Sequence, residues 1–310
     1  MSDINKTPFE KHGRLSVKGT RLLDSHGEEF RLYGMSTHGL AWFPDYVNRE
    51  AFSTLCNEWN TNCIRLALYT HEYGGYCTNG DKEALKAIVR KGVEYATEAG
   101  MYAIIDWHVL MEKSPMVYKE FAAEFFAEMS ELYKNHDNIL YEICNEPDDS
   151  VEWSEVKSYA QEIIPIIRAN ALNAVIIVGT TSWCQDPDKV LEAPLEFDNV
   201  LYAVHFYADT HRDYIRDKAA KAAEGGLPLI VSEFNITNFT GGANVNKEQG
   251  ELWMKLIDKY HLSYLCWSLN SSKLACSVIN NDCKKLSGWT RDELSETGKW
   301  VFDRFSSEKR

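Results

Sequence analysis

A chain of 310 residues, 45% of them hydrophobic and 12% aromatic, can bury a large core, and one barrel-sized domain fits this length better than two small ones. Its formal net charge of −13 argues against a nucleic-acid partner, because phosphate binding draws on clustered Lys and Arg; a neutral, polyhydroxylated ligand would be indifferent to that charge. No apolar run approaches the ~20 residues of a membrane span, and the eight cysteines form no CxxC pair and no spacing with histidine that suits zinc, so neither a membrane nor a metal is expected as a partner.

In chain order, residues 1–13 read as an N-terminal tail with no hydrophobic stretch able to serve as a leader, which leaves a cytoplasmic protein or a secreted one whose leader is not part of this sequence. Residues 15–30 carry two short apolar runs around Ser25-His26-Gly27 and predict a hairpin that could close the bottom of a barrel. Short β-branched or aromatic runs follow at 30–36, 62–69, 102–107, 139–144, 174–179, 200–206, 228–232 and 263–269. Between them lie amphipathic helical stretches, clearest at 82–98 and 117–133, where apolar residues recur three and four apart. Strand and helix alternating eight times predicts an α/β fold, a single (β/α)8 TIM barrel over residues 14–306. No linker rich in Pro, Gly or Ser suggests a second module. Cys144 and Cys266 sit inside apolar strands and are expected as buried thiols, whereas Cys276 and Cys283, in a polar loop, are the best disulfide candidates.

Polar residues gather at the C-terminal ends of these strands. They are His38 after the first, Arg65 and Tyr69 on the second, His108 at the third, Asn145 and Glu146 at the fourth, Trp183 after the fifth, His205 and Tyr207 at the sixth, Glu233 at the seventh and Trp267 on the eighth. In a barrel these ends converge on one face, where such enzymes build their sites. Glu146 and Glu233 each leave an apolar strand as an isolated carboxylate, and such a pair is the minimal equipment of a retaining glycosidase.

The motifs NCIRLALYT, IIDWHVL, LYEICNEP, YAVHFYADTH, LIVSEF and YLCWSLN, in this order, resemble the bacterial endoglucanases of glycoside hydrolase family 5 from Gly13 to the GWTRDELSETGKWV segment. The resemblance implies Glu146 as general acid/base, Glu233 as nucleophile and Asn145 as partner of the sugar 2-hydroxyl. It puts Arg65, His108, His205, Tyr207 and Trp267 around the cleavage point and His38, Trp42, Tyr69 and Trp183 along the sugar subsites. It further implies an endo-acting β-1,4-glucanase on cellulose or soluble β-glucans, without cofactor, secreted, a monomer whose partner is its polysaccharide; related barrels act on mannan, xyloglucan or mixed-linkage glucan with the same catalytic set. Arg65 and Tyr207 should favour the charged form of Glu233, while Glu146, facing a negative neighbour, should hold its proton.

Three stretches depart from the family pattern. Lys273 stands in, one residue late, for the Lys usually found after the strand-eight Trp, and no acidic residue accompanies it. The loop after Glu233 lacks the usual Gly, and the loop at 111–115 lacks the usual Asp and Asn. Asn235 and Asn238 begin N-x-T sequons beside the nucleophile position, where a glycan would block the cleft, so they are read as coincidental. A silent carbohydrate-binding barrel would have lost a carboxylate and has not. A barrel for phosphorylated substrates would want a phosphate loop after strands seven and eight, and Gly241-Gly242 is too distant and lacks basic neighbours.

Overall fold

The computed structural model describes residues 6–242 and 244–309; of the tail expected over 1–13, residues 1–5 lie outside the described residues. Helix α1 (Pro8–His12) and a hairpin of β1 (Ser16–Lys18) and β2 (Arg21–Leu23) come first. The barrel strands are β3 (Tyr33–Thr37), β4 (Cys63–Tyr69), β5 (Tyr102–His108), β6 (Ile139–Glu142), β7 (Ile176–Val178), β8 (Val200–Tyr207), β9 (Leu229–Asn235) and β10 (Ser263–Leu269). A helix follows each in turn: α2 (Arg49–Asn57), α3 (Lys82–Glu98), α4 (Lys119–Leu132), α5 (Trp153–Asn170), the single turn α6 (Thr181–Cys184), α7 (Asp213–Glu224), α8 (Lys247–Tyr260) and α9 (Glu296–Ser306).

All strand pairs of the barrel are parallel, and β10 closes it onto β3 with Tyr264 opposite Tyr33 and Cys266 opposite Met35. Strands covered on both faces must be apolar on both, and β4, β5, β9 and β10 are buried at every position, including the charged ones. Gly34 on β3 is required there: a Cβ would lie 2.0 Å from the Cys63 carbonyl oxygen of the neighbouring strand.

The N-terminal hairpin turns earlier than expected. Lys18 pairs with Arg21 across a two-residue turn whose Gly19 has φ +58°, a conformation suited to such turns. Ser25-His26-Gly27 instead makes a second turn with one bridge, Leu23 to Glu29, because Asp24 Oδ1 accepts from the backbone of His26 and Glu28 and closes the chain locally. The expected place of the hairpin holds: Leu15, Leu22, Phe30 and Leu32 join Cys63, Tyr102, Ile104, Leu201 and Ile230 in one cluster that fills the N-terminal end of the barrel.

The expected disulfide does not form: Cys276 and Cys283 are both thiols. Cys276 is buried against Tyr69 and Trp267 in the wall of the cleft, whereas Cys283 packs on the outer core, so the two thiols belong to different layers. Cys144 and Cys266 are buried thiols, as expected.

Candidate active site

At the C-terminal end of the barrel a cleft of about 650 Å³ is lined by Glu146, His205, Tyr207, Glu233, His108 and Trp267, with Trp183, His38 and Tyr69 among its further walls. Beneath its floor lies Arg65, fully buried on β4. Its Nε donates to Glu142 Oε2 at 2.6 Å, Nη1 donates to Glu233 Oε2 at 3.1 Å, and Nη2 donates to Asn145 Oδ1 at 2.6 Å and meets Asp106 Oδ2 at 3.1 Å. A guanidinium is the only side chain with enough donors in a fixed fork to hold four acceptors at once.

Asn145 is held twice more: its amide donates to the Val109 carbonyl at 3.0 Å and faces His108 Nε2 at 3.2 Å. His108 Nδ1 is 2.6 Å from Asp106 Oδ2. Tyr207 donates its hydroxyl to Glu233 Oε1 at 2.7 Å, and His205 Nδ1 is 2.8 Å from Glu146 Oε1. One oxygen of Glu146, one of Glu233 and a ring nitrogen of His205 all lie within 4.8 Å of one another, so the two carboxyl groups face each other across the cleft.

Four carboxyl groups (Asp106, Glu142, Glu146 and Glu233) surround one guanidinium, and burial penalises each of their charged forms. Burial pushes Glu146 up to about 8, with the Asp106 and Glu142 charges adding to the rise and Arg65 opposing it. Asp106 rises to about 7 for the same first reason. Burial also raises Glu233, helped by the Glu146 charge and opposed by His205 and Arg65. The contacts of Arg65 and Tyr207 to Glu233 are present, and the Arg65 charge favours its ionised form, but desolvation outweighs that pull. Burial depresses His205 to about 4, so its ring is neutral at pH 7.

The rest of the cleft is aromatic. Tyr69 lies 4.0 Å from His108 and 4.6 Å from Trp42 by ring centroids, and Trp267 lies 4.9 Å from His38 and 5.3 Å from His108. These rings come from β4, β5, β10 and the segment after β3, and they make one continuous surface. Trp42 is 38% exposed with its indole N–H on the Tyr73 carbonyl, so it lies outside the core, against the cleft residues His38 and Tyr69.

Trp183 stands on the opposite side, in α6, whose Ser182, Trp183 and Cys184 all have φ between 55° and 59°. Left-handed conformation in non-glycine residues costs about 1–2 kcal/mol each and tends to persist at functional sites. Here the turn is tied down by the segment that bears Glu146: Ser182 N donates to the Asp148 carbonyl, Trp183 N to the Pro147 carbonyl at 2.8 Å, and the Cys184 thiol to the Asn145 carbonyl at 3.0 Å.

Of the residues predicted from sequence, Lys273 is not brought to the cleft. It is exposed, and its neighbour Leu274 lines the cavity in its place. Asn235 is buried and donates its amide to the Trp267 and Cys276 carbonyls, which leaves no room for a glycan. Sequence reasoning passed over Asp106, Glu142 and Ser232, and over Phe239, whose ring is 64% exposed at the cleft. The signal for the first two was a charged residue inside an otherwise apolar strand.

Fold and site together define a class, the barrel enzymes that oppose two carboxyl groups across an aromatic cleft at the strand C-termini. Within it the chain belongs to glycosyl hydrolase family 5, whose Cellulase family model matches residues 23–273. It is 42% identical over 309 residues to Endoglucanase A of Butyrivibrio fibrisolvens, covering 99% of this chain and 72% of that protein. It is 38% identical to an endoglucanase of Clostridium saccharobutylicum, covering 93% of this chain and 64% of that one. The chain thus spans about two thirds of the length of these curated relatives. Among solved structures, a cellulase superposes with a TM-score of 0.94 at 37% identity over 99% of this chain and 96% of that one. The catalytic domain of a Thermobifida fusca endoglucanase in complex with cellotetraose gives 0.92 at 32% identity over 97% and 100%.

Proposed function

We propose that this chain is an endo-β-1,4-glucanase that hydrolyses internal bonds of cellulose or soluble β-glucans with retention of configuration. The observation that carries this reading is the pair Glu146 and Glu233, with oxygens within 4.8 Å of each other between two aromatic walls. That spacing suits direct attack by one carboxylate, whereas an inverting pair leaves room for a water at roughly 6.5–9.5 Å.

In this reading Glu233, held by Arg65 Nη1 and the Tyr207 hydroxyl, attacks the anomeric carbon while the bond to the leaving oxygen breaks. Glu146, protonated below about 8, gives its proton to that oxygen. The glycosyl–Glu233 ester is then opened by water, whose proton Glu146 takes back, which regenerates both groups. Asn145 holds the sugar 2-hydroxyl beside the breaking bond. The ring surface of Trp42, Tyr69, His38 and Trp267 and the opposing Trp183 carry sugars on either side of it, since aromatic faces match the apolar faces of pyranoses. The relatives named endoglucanase and the cellotetraose complex support a cellooligosaccharide as occupant of the cleft.

We further propose that residues 14–306 act as one catalytic barrel, as a monomer and outside the cell. Among the described residues no helix is long and apolar enough to cross a membrane.

The test is a product profile on carboxymethyl-cellulose, mixed-linkage glucan, xyloglucan and mannan. Rapid loss of viscosity with cellooligosaccharide products from carboxymethyl-cellulose supports the reading. Release from mannan or xyloglucan with carboxymethyl-cellulose left intact overturns the substrate assignment.

A further inference from the structure

A line of hydrogen bonds leaves Glu146 and runs down into the barrel wall. Glu146 Oε1 lies 2.8 Å from His205 Nδ1, and His205 Nε2 lies 2.9 Å from Ser232 Oγ. Ser232 donates to Glu142 Oε1 at 2.7 Å, and Glu142 Oε2 accepts from Arg65 Nε at 2.6 Å. Ser232 and Glu142 are both fully buried, and neither touches the cleft.

The chemistry of each group fixes the direction of this line. Glu142 has the shortest of the carboxylate contacts to Arg65, 2.6 Å against 3.1 Å for both Asp106 and Glu233, and an ion-paired carboxylate only accepts. The single hydroxyl proton of Ser232 is therefore spent on Glu142, and its oxygen offers lone pairs alone to His205. Nε2 must then carry the hydrogen of the imidazole. The ring is neutral, because burial and the Arg65 charge depress it to about 4, so Nδ1 is a bare acceptor aimed at Glu146. Only a Glu146 that keeps its proton can hydrogen-bond there; an ionised one would meet a lone pair.

We propose that Ser232 is a positioning residue for the reaction proposed above, one that, oriented by Glu142, locks His205 in the Nε2–H form and so keeps Glu146 in its protonated, acid-competent state. This rests on the assignment of Glu146 as the acid. The other groups that act on Glu146 are Arg65 and Tyr69 from β4, Asp106 from β5, Glu142 from β6, Cys184 from α6, Tyr207 from β8 and Glu233 from β9, with His108 from β5 in the same cleft. Ser232 precedes Glu233 in the chain and hydrogen-bonds Glu142 and His205, and of these His205 is the one whose ring meets Glu146, so a substitution at Ser232 reaches Glu146 most directly through His205.

In Ser232→Ala, Nε2 loses its acceptor and the ring is free to take the Nδ1–H form, which donates to an ionised Glu146 and favours its charged state. The alkaline limb of kcat/KM on a cellooligosaccharide should then move to lower pH by about one unit. Ser232→Thr keeps a hydroxyl and should restore the wild-type limb. An unmoved limb in folded Ser232→Ala overturns the proposal, as does a Ser232→Thr profile displaced like that of Ser232→Ala.

A second measurement needs no Ser232 variant and no activity. In wild-type enzyme labelled with ¹⁵N-histidine, the two-bond ¹H–¹⁵N spectrum should show His205, assigned as the signal lost in His205→Gln, with a protonated Nε2 and a bare Nδ1 at neutral pH. An Nδ1–H or doubly protonated ring there overturns the proposal. Because this reads the tautomer directly, it stands apart from failure of the glucanase reading, which would show as no hydrolysis of any β-glucan.

Discussion

Among the described residues Arg65 is the one cation within reach of four carboxyl groups, three of them buried and Glu146 partly so, and the site depends on that imbalance. Its removal as Arg65→Leu would leave Glu142 and Asp106 buried without a counter-charge, so we expect a stability loss of about 3–5 kcal/mol in urea unfolding; a loss under about 1 kcal/mol would show that the carboxyls simply stay neutral. The same imbalance sets the pH window. Glu146 is raised, so its proton is present at low pH and is lost as pH rises through about 8, and activity should fall on the alkaline side there. Glu233 must be ionised to attack, so activity should fall on the acid side as it takes up a proton. A kcat/KM profile whose alkaline limb lies below about 6 would contradict the raised Glu146. Glu146→Gln keeps the shape but cannot cycle a proton, and turnover of unactivated glucan should drop about 10²–10⁴-fold with binding retained. The facing pair Glu146 and Glu233, the catalytic pair of the proposed mechanism, was legible in the sequence because each carboxylate ends an apolar run, Glu146 as LYEICNEP and Glu233 as LIVSEF. Asp106 and Glu142 were not, because a charge in mid-strand reads as an exposed face until the closed barrel puts both faces of the strand out of water.

At the scale of elements, two aromatic residues of one type do opposite work. Trp59 is fully buried against Trp289 and Phe302, while Trp42 is 38% exposed on the segment after β3. Trp59→Ala should cost about 3–5 kcal/mol of stability, and Trp42→Ala about 0.5 kcal/mol or less while weakening binding of long glucans. Thermal unfolding and glucan kinetics on both variants check this, and a large stability loss at Trp42 would return it to the core. Gly34→Ala offers a sharper strain on an element: a methyl 2.0 Å from the Cys63 carbonyl oxygen must push β3 from β4, and the variant should fold poorly or melt far below the wild type. Helix α3 was legible to the residue over 82–98, since the apolar period runs unbroken behind its Asp81 cap. The hairpin turn was misplaced because Ser25-His26-Gly27 is a real turn with a stronger composition signal than Gly19-Thr20, although only the latter joins paired strands. Lys273 was expected at the cleft by analogy of position, and a one-residue offset sufficed to present Leu274 there.

For the whole molecule, barrel closure explains why scattered residues form one site: parallel strands bring eight C-terminal ends to one rim, and the loops that follow them can differ without moving Glu146 or Glu233. The order of elements was legible because strand and helix signals alternate along the full chain, whereas cysteine pairing was not, since layer membership and not spacing separates Cys276 from Cys283. In the proposed mechanism two carboxyl groups supply both the nucleophile and the proton, so EDTA should leave activity unchanged, and a loss restored by a divalent ion would contradict that division of labour. The central claim is that Glu233 forms a covalent bond to the sugar while Glu146 handles the proton. Incubation with a 2-deoxy-2-fluoro cellobioside carrying an activated leaving group, followed by peptide mass spectrometry, tests it most directly. The account predicts stoichiometric inactivation with the added sugar mass on Glu233, and an enzyme that stays unlabelled, or carries the label on Glu146, would contradict it.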